Sequence, residues 1–377
     1  MVSGQLTSSI QKHASERKYN FCSGPALLPL AILEQAQVDM LSYKGSGIGI
    51  MELSHRSALF TGLIEEARSR ILNLLGLDSD FEVIFFQGGA TLQFSALPLN
   101  FIDDNGFGAY IVNGHWSKKA FQLASQVRSA KIIWEPTTTN SEKVPTETKI
   151  ALDKGAAFLH YTSNETIDGI EFHQEIVSSD APVICDASSN ILTRPIDPDN
   201  FDLIYASAQK NLGPSGLTVS IIRKSFLDKC RGTDIPLLDY RAMAQNHSLL
   251  NTPNTWAIYL VNSVCKWIED QGGVEKMHAL ARQRSEMIYE VIDNSDGFYQ
   301  NRIPEESRSR VNVVFHLPTK ELEEAFLGEA EKQGFYGLAG HRSVGGIRAS
   351  MYNPFPPEGA QKLSEFMKDF AAEFADF

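Results

Sequence analysis

Residues 201–223 set one lysine between two apolar runs: Phe-Asp-Leu-Ile-Tyr-Ala-Ser-Ala-Gln-Lys-Asn-Leu-Gly-Pro-Ser-Gly-Leu-Thr-Val-Ser-Ile-Ile-Arg. Runs rich in Ile, Leu and Val on either side of Asn211, Gly213, Pro214 and Gly216 read as two buried strands joined by a tight connection. Lys210 sits where the first strand ends. A lone lysine is ordinarily solvated, but apolar sequence on both sides leaves little water near this one. An amine held close to a core loses its proton more readily and becomes a usable nucleophile for imine chemistry. Upstream, Ala-Pro-Val-Ile-Cys-Asp at 181–186 reads as another short buried strand with Asp186 at its carboxyl end, the end outside which ligands bind in open α/β sheets. By itself Asp186 would read as a helix or turn cap. Paired with Lys210, with room for one strand between them at 202–207, it makes the arrangement that pyridoxal phosphate (PLP) requires. The carboxylate keeps the ring nitrogen protonated, and the lysine takes the aldehyde.

The elements that must hold these groups alternate between strand and helix. Glu82-Val-Ile-Phe-Phe is a strand, Gln87-Gly-Gly-Ala-Thr91 a turn, and a helix begins near Leu92. Strand, glycine turn and helix N-terminus together form an anion site, because glycines let the backbone approach and first-turn N–H groups point at the phosphate. Residues 109–113 form the next strand, and Gly114-His-Trp116 opens a helix. Short strands follow at 131–134 and 156–161, the latter running into the turn 164–169. Helices are expected at 30–43 and 61–75. The intervening Gly45-Ser-Gly-Ile-Gly follows a helix and lacks the GxGxxG spacing, so it is not a dinucleotide site. Farther on, helices at 255–271 and 274–294 flank Gly272-Gly273. A strand at 310–317, a helix at 319–332, a strand at 347–352 and a helix from Pro357 complete the chain. This order predicts an α/β protein with a mostly parallel sheet covered by helices on both faces. The expected division is a large domain at 30–270, a smaller α+β domain made of 19–29 and 271–377, and a flexible tail at 1–18.

With 377 residues, 43% of them hydrophobic, the chain can bury a large core. Its net charge of −12 argues against nucleic acid or an anionic membrane as main partner. An anionic substrate must then be met by a local cluster of cations, and two His-Arg pairs, His55-Arg56 and His341-Arg342, are candidates together with Arg348. The cysteines 22, 185, 230 and 265 form no CxxC pair and read as reduced intracellular thiols; no metal site is expected. No apolar run approaches a membrane span. Residues 1–18 lack the apolar stretch of a secretory signal and read as a disordered tail, with a short organellar presequence as the other reading.

Asp186-Ala-Ser-Ser followed by Ala206-Ser-Ala-Gln-Lys210-Asn-Leu-Gly-Pro-Ser-Gly resembles the class V, fold type I PLP-dependent aminotransferases. The likeness extends through Tyr19-Asn-Phe-Cys-Ser-Gly-Pro-Ala, Met51-Glu-Leu-Ser-His-Arg-Ser, Gln87-Gly-Gly-Ala-Thr-Leu-Gln-Phe, Asn251-Thr-Pro and Gly340-His-Arg-Ser-Val-Gly-Gly-Ile-Arg348-Ala-Ser-Met-Tyr-Asn. Several motifs in this order are specific where one would not be. The resemblance implies a seven-stranded, mostly parallel sheet in the large domain. It implies reversible, ping-pong amino transfer from L-glutamate to 3-phosphohydroxypyruvate, giving O-phospho-L-serine and 2-oxoglutarate, in the cytoplasm as part of serine biosynthesis. Lys210 would carry the cofactor and then move the proton. Asp186 would hold the ring nitrogen, Trp116 would stack, and Thr166 would hydrogen-bond the cofactor. Ala90, Thr91 and Gln209 would hold its phosphate; many members carry Arg or Cys in place of Thr91. Asn251 and Thr252 would complete the phosphate site of the neighbouring subunit, which implies a homodimer with shared active sites. Arg348 would take the substrate α-carboxylate. His341 and Arg342, with His55 and Arg56 from the facing subunit, would take the substrate phosphate or the glutamate γ-carboxylate, and Ser23 joins the substrate set. The rival readings are another class V enzyme, such as an alanine–glyoxylate aminotransferase or a cysteine desulfurase, and a non-catalytic module on the same fold. A desulfurase needs a catalytic cysteine on a mobile loop, and a dead module would be expected to lose Lys210 or Asp186.

Overall fold

The computed structural model describes residues 17–137 and 143–374, so most of the expected N-terminal tail lies outside the described residues. In chain order the main elements are β1 (Tyr19–Asn20), α1 (Leu30–Asp39), α2 (Ala58–Leu75), β2 (Phe81–Gln87), α3 (Ala90–Phe101), β3 (Phe107–Ile111), α4 (His115–Val127) and β4 (Ala130–Trp134). There follow β5 (Ala156–Thr162), β6 (Asn164–Glu165), β7 (Ile170–Glu171), β8 (Val183–Asp186), β9 (Leu203–Ser207) and β10 (Leu217–Arg223). Beyond two short helices come α5 (Thr255–Asp270), α6 (Gly273–Asp293), β11 (Asn312–Phe315), α7 (Lys320–Lys332), β12 (Phe335–Tyr336), β13 (Ile347–Ser350) and α8 (Pro357–Phe374).

Seven strands make the central sheet in the order β2-β10-β9-β8-β5-β3-β4. All run the same way except β10, which is antiparallel to both neighbours. Their residues are Ile, Val, Phe and Tyr in near-continuous runs, the composition of strands covered on both faces. Register brings the carboxyl ends of the middle strands level: Thr162 lies opposite Asp186, and Asp186 opposite Tyr205. The expectation of a seven-stranded, mostly parallel α/β sheet therefore holds.

Helices cover the sheet because their apolar residues repeat at helical spacing. In α2, Phe60, Leu63, Ile64, Ala67, Ile71 and Leu75 are buried. Ser57 Oγ caps its start by accepting from the Phe60 N–H at 3.3 Å, and Gly76 ends it at a φ of 66°. Several boundaries differ from expectation by two or three residues, at α2, β3, β11 and β13, and two others have a visible cause. The first helix stops at Asp39, not 43, because the chain turns back on itself there. The Ile50 N–H binds the Asp39 carbonyl, the Tyr43 N–H binds the Ile48 carbonyl, and Lys44 and Gly45 adopt positive φ. Helix α3 starts at Ala90, two residues earlier than expected, with extended Gly89 at its N-cap.

A second core is separate from the sheet. It gathers Ile288, Val313, Phe315, Phe326, Phe335, Ile347, Phe366 and, from the other end of the chain, Phe21. β1 joins it by pairing in parallel with β12. A buried polar chain links the sheet's carboxyl edge to β11 and β13. Asn164 Nδ2 donates to Asn312 Oδ1 at 2.8 Å, and Asn312 Nδ2 donates to Ser350 Oγ at 2.9 Å.

Candidate active site

Five parallel strands end on the same edge, and the residue that follows each one lines a common cavity. Gly89, Ala90 and Thr91 come after β2, Trp116 after β3, and Thr162, Asn164 and Thr166 from the end of β5 onward. Asp186 and Ser188 follow from β8, and Ser207, Gln209 and Lys210 from β9. This is the end at which open α/β sheets bind ligands. The cavity holds about 440 Å³ of atom-free space, its open mouth included.

Lys210 stands at the centre. Its Nζ donates to Thr166 Oγ1 at 2.6 Å and lies 5.6 Å from the Trp116 ring centroid. Burial pulls the amine down to about 8, against the attraction of Asp186 and Glu165 and with the repulsion of Arg348. Asp186 is buried, which lifts its carboxyl above the ordinary range, while Ser188 and Lys210 draw it back. Such a carboxylate is stabilised by a cationic partner. Its Oδ1 accepts from the Ser188 N–H at 2.9 Å. Ser188 Oγ in turn accepts from the Ser207 N–H at 3.0 Å, and Ser207 Oγ accepts from the Ala90 N–H at 3.3 Å and donates to Gln209 Oε1. One hydroxyl chain thus ties the aspartate to the helix terminus of the glycine turn.

Residues 23–26 close this edge from above. The Ala26 N–H binds the Gln209 carbonyl at 2.9 Å, and Ser23 O accepts from Tyr352 Oη at 2.8 Å. Gly24 has a φ of 130°, and a Cβ there would come 3.3 Å from Gln209 and 3.5 Å from Lys210, so the segment passes close only because that position is bare.

On the side of the second core, Arg348 is buried, with Nη1 3.4 Å from the Thr166 carbonyl. His341 packs its ring against that of His115 at 5.5 Å between centroids. Burial, and then Arg348, His115 and Arg342, hold the His341 pKa below its ordinary value. Neither Arg342 nor Arg348 forms an ion pair among the described residues. The result is a local excess of positive charge at the rim, of the kind an acidic protein needs to receive an anion.

Not every expected residue reaches this place. Arg56 is exposed and His55 half-buried in the stretch before α2. Asn251 lines a different cavity with Gln87, Leu92, Leu237 and Asn254, which shares no residue with the one around Lys210. The Thr252 carbonyl accepts from Gln87 Nε2 at 2.8 Å. Conversely, Asn164, Thr162, Ser188, Ser207 and Glu165 were not singled out. They are polar residues just past strand ends, and their position at the carboxyl edge is the only signal that could have found them. Cys22 is the one cysteine that is not buried. Partial burial raises its thiol pKa in spite of Arg348, which leaves it a poor thiolate.

The site suits a phosphorylated aromatic ring such as PLP. Trp116 Nε1, Thr162 Oγ1 and Arg348 Nε are buried without a partner among the described residues, and buried donors of this kind call for a polar ligand. Gly89 gives α3 no side-chain cap of its own, and the Ala90 N–H reaches Ser207 Oγ only at 3.3 Å, so the terminus is of the kind that favours an anion. Among the described residues no three metal-binding side chains gather, and no helix is long and apolar enough to cross a membrane.

Residues 18–363 match the family model described as aminotransferase class-V. A curated phosphoserine aminotransferase from Niallia circulans is 43% identical over 356 residues, covering 94% of this chain and 98% of that protein. The solved phosphoserine aminotransferase from Bacillus circulans subsp. alkalophilus superposes with a TM-score of 0.92 at 43% identity, covering 95% of this chain and 99% of that one. The PLP-bound phosphoserine aminotransferase from Trichomonas vaginalis does so with a TM-score of 0.88 at 38% identity, covering 93% and 100%.

Proposed function

We propose that this chain, which belongs to the class-V aminotransferase family, moves an amino group reversibly between L-glutamate and 3-phosphohydroxypyruvate, giving O-phospho-L-serine and 2-oxoglutarate. It is a PLP-dependent transaminase. One observation carries the choice of substrate: the guanidiniums of Arg342 and Arg348 gather around His341 beside the lysine cavity of a protein whose net charge is −12.

When bound, PLP supplies an electron sink for the pair left on the substrate α-carbon. The chain's own residues do the rest. Ala90, Thr91 and Gln209 hold the cofactor phosphate, Trp116 covers the ring, Thr166 adds a hydrogen bond, and Asp186 holds the proton on the ring nitrogen. Lys210 anchors the cofactor between turnovers. Its Nζ, depressed to about 8, takes the proton from the substrate Cα in one half-reaction and returns one to Cα in the other. Arg348 grips the α-carboxylate with a planar fork. His341 and Arg342 receive the phosphate or the glutamate γ-carboxylate, because both half-reactions use one pocket; Ser23 lies at its edge.

In this proposal the working unit is a homodimer. Val38, Leu41 and Met51 are 60%, 81% and 58% exposed around the stretch that leads to His55 and Arg56, and Ile235 and Leu237 are exposed beside the Asn251 cavity. A second copy covering those faces would bring His55 and Arg56 to its neighbour's substrate, and Asn251 and Thr252 to its neighbour's phosphate. The two cores support a division into a large domain at 30–270 and a small one from 19–29 and 271–377. Four unpaired cysteines suit a reducing cytoplasm.

The test compares 3-phosphohydroxypyruvate with hydroxypyruvate as acceptors from glutamate. The wild-type protein is expected to prefer the phosphorylated acid strongly. Arg342→Ala and Arg56→Ala should each cost roughly tenfold or more on that substrate and little on the other. No preference in the wild-type protein, or one that both variants keep, removes the assignment.

A further inference from the structure

Between Trp116 and Lys210 runs a loop whose acidic residues have no part in the chemistry above. Glu165 is wholly buried. Its Oε2 accepts from the Trp116 N–H at 2.8 Å and its Oε1 from the Ser117 N–H at 2.7 Å. Asp168 Oδ2 accepts from the His115 N–H at 2.9 Å. Helix α4 has Gly114 at its N-cap, with no side chain to cap those first N–H groups, so two carboxylates from another element do it instead. The fit leaves no slack: a Cβ on Gly114 would lie 2.5 Å from Glu165 Cγ and 2.7 Å from Asp168 Oδ2. The next residue in the loop, Thr166, binds Lys210 through its hydroxyl and Arg348 through its carbonyl.

A buried glutamate whose pKa rises to about 7, through burial first and Asp168 second, invites a reading as a general acid or base. The geometry speaks against it. Both oxygens are already taken by backbone N–H groups, and neither faces the cavity lining. What the contacts do is set a distance: the residue that accepts from the Trp116 backbone N–H is adjacent to the one that binds the lysine.

We propose that Glu165 is a positioning residue for the cofactor. Through the α4 backbone it fixes the Trp116 ring above the cavity, next to the loop residue that binds Lys210 and Arg348. This rests on the reading of the site as a PLP site with Trp116 against the ring.

The experiment is a double-mutant cycle on cofactor affinity. Protein stripped of cofactor is titrated with PLP, and binding is followed by the visible absorption and induced circular dichroism of the bound form. The proteins are wild type, Glu165→Gln, Trp116→Ala and the pair. Glu165→Gln keeps the volume but turns an amide donor toward a backbone donor. It is expected to weaken binding about tenfold and to shrink the induced band. In the Trp116→Ala background the same change is expected to add less than about twofold. Equal weakening in both backgrounds, or none in the single variant, overturns the inference. Should Glu165→Gln not fold, Asp168→Asn runs the same cycle, with a smaller shift expected and full additivity as the refuting result. A wild-type protein that binds no PLP overturns the underlying reading instead, and the two failures are distinct.

Discussion

Replacing Lys210 with methionine is expected to make the cofactor-free protein more stable at neutral pH. The reason is the charge that the native cavity must hold. Burial carries the amine from 10.5 to about 8, a gap worth about 3 kcal/mol. Below pH 8 the native amine is protonated at a cost the unfolded chain does not bear. Between 8 and 10.5 the native amine is neutral while the unfolded one stays charged. The unfolded state then binds more protons, and stability climbs with pH. Methionine has a similar reach and no charge, but it leaves the Thr166 hydroxyl without its donor, an offset of about 1 kcal/mol. The variant should therefore be about 2 kcal/mol more stable than wild type at pH 7 and slightly less stable once pH exceeds 10. Urea midpoints of both cofactor-free proteins, at one protein concentration and at pH 7 and 10, measure the difference; titrating groups that do not interact with Lys210 cancel, whereas Asp186 and Glu165, which do, contribute to it. A variant that is no more stable at pH 7, or a gap that does not move with pH, refutes the claim that this lysine is held as a desolvated amine.

Two further outcomes follow from the same contacts. Asp186→Asn keeps the Ser188 hydrogen bond but cannot hold a proton on a ring nitrogen, so turnover should fall by orders of magnitude while PLP affinity changes far less; a variant with near-normal turnover removes that role. Asn312→Leu strips partners from Asn164 and Ser350 in the buried chain between the two cores, and chemical denaturation is expected to show a loss of roughly 1–3 kcal/mol for each polar group left bare.

The lysine, the aspartate and the glycine turn were legible because each sits at a strand end punctuated by glycine or by a change of periodicity, which a short window of sequence displays. Other parts had no such signal. Glu165 lies in Ser-Asn-Glu-Thr, a polar run that reads as a solvated turn, and only the approach of a helix from elsewhere makes it a buried cap. Arg342 and Arg348 are six positions apart and of one type, yet one is exposed and the other buried. That contrast comes from β13 pairing with β11, not from anything local. The same holds for β1 and β12, two-residue strands from opposite ends of the chain, too short to show any alternation. The end of α1 was missed because its apolar pattern continues past Asp39, while long-range backbone bonds to Ile48 and Ile50 stop it.

The contribution of Phe21 and β1 to the second core bears on how the polypeptide is made. A ribosome releases residues 19–21 long before their partners at 288–370. The C-terminal unit is therefore not a module that can close on itself as it emerges. One of its core positions and its outer strand come from residues 19–21, on the far side of the large sheet in sequence. A fragment beginning at residue 271 lacks both, and the seam over Lys210 gains its Tyr352–Ser23 bond only after the sheet beneath it has had time to form.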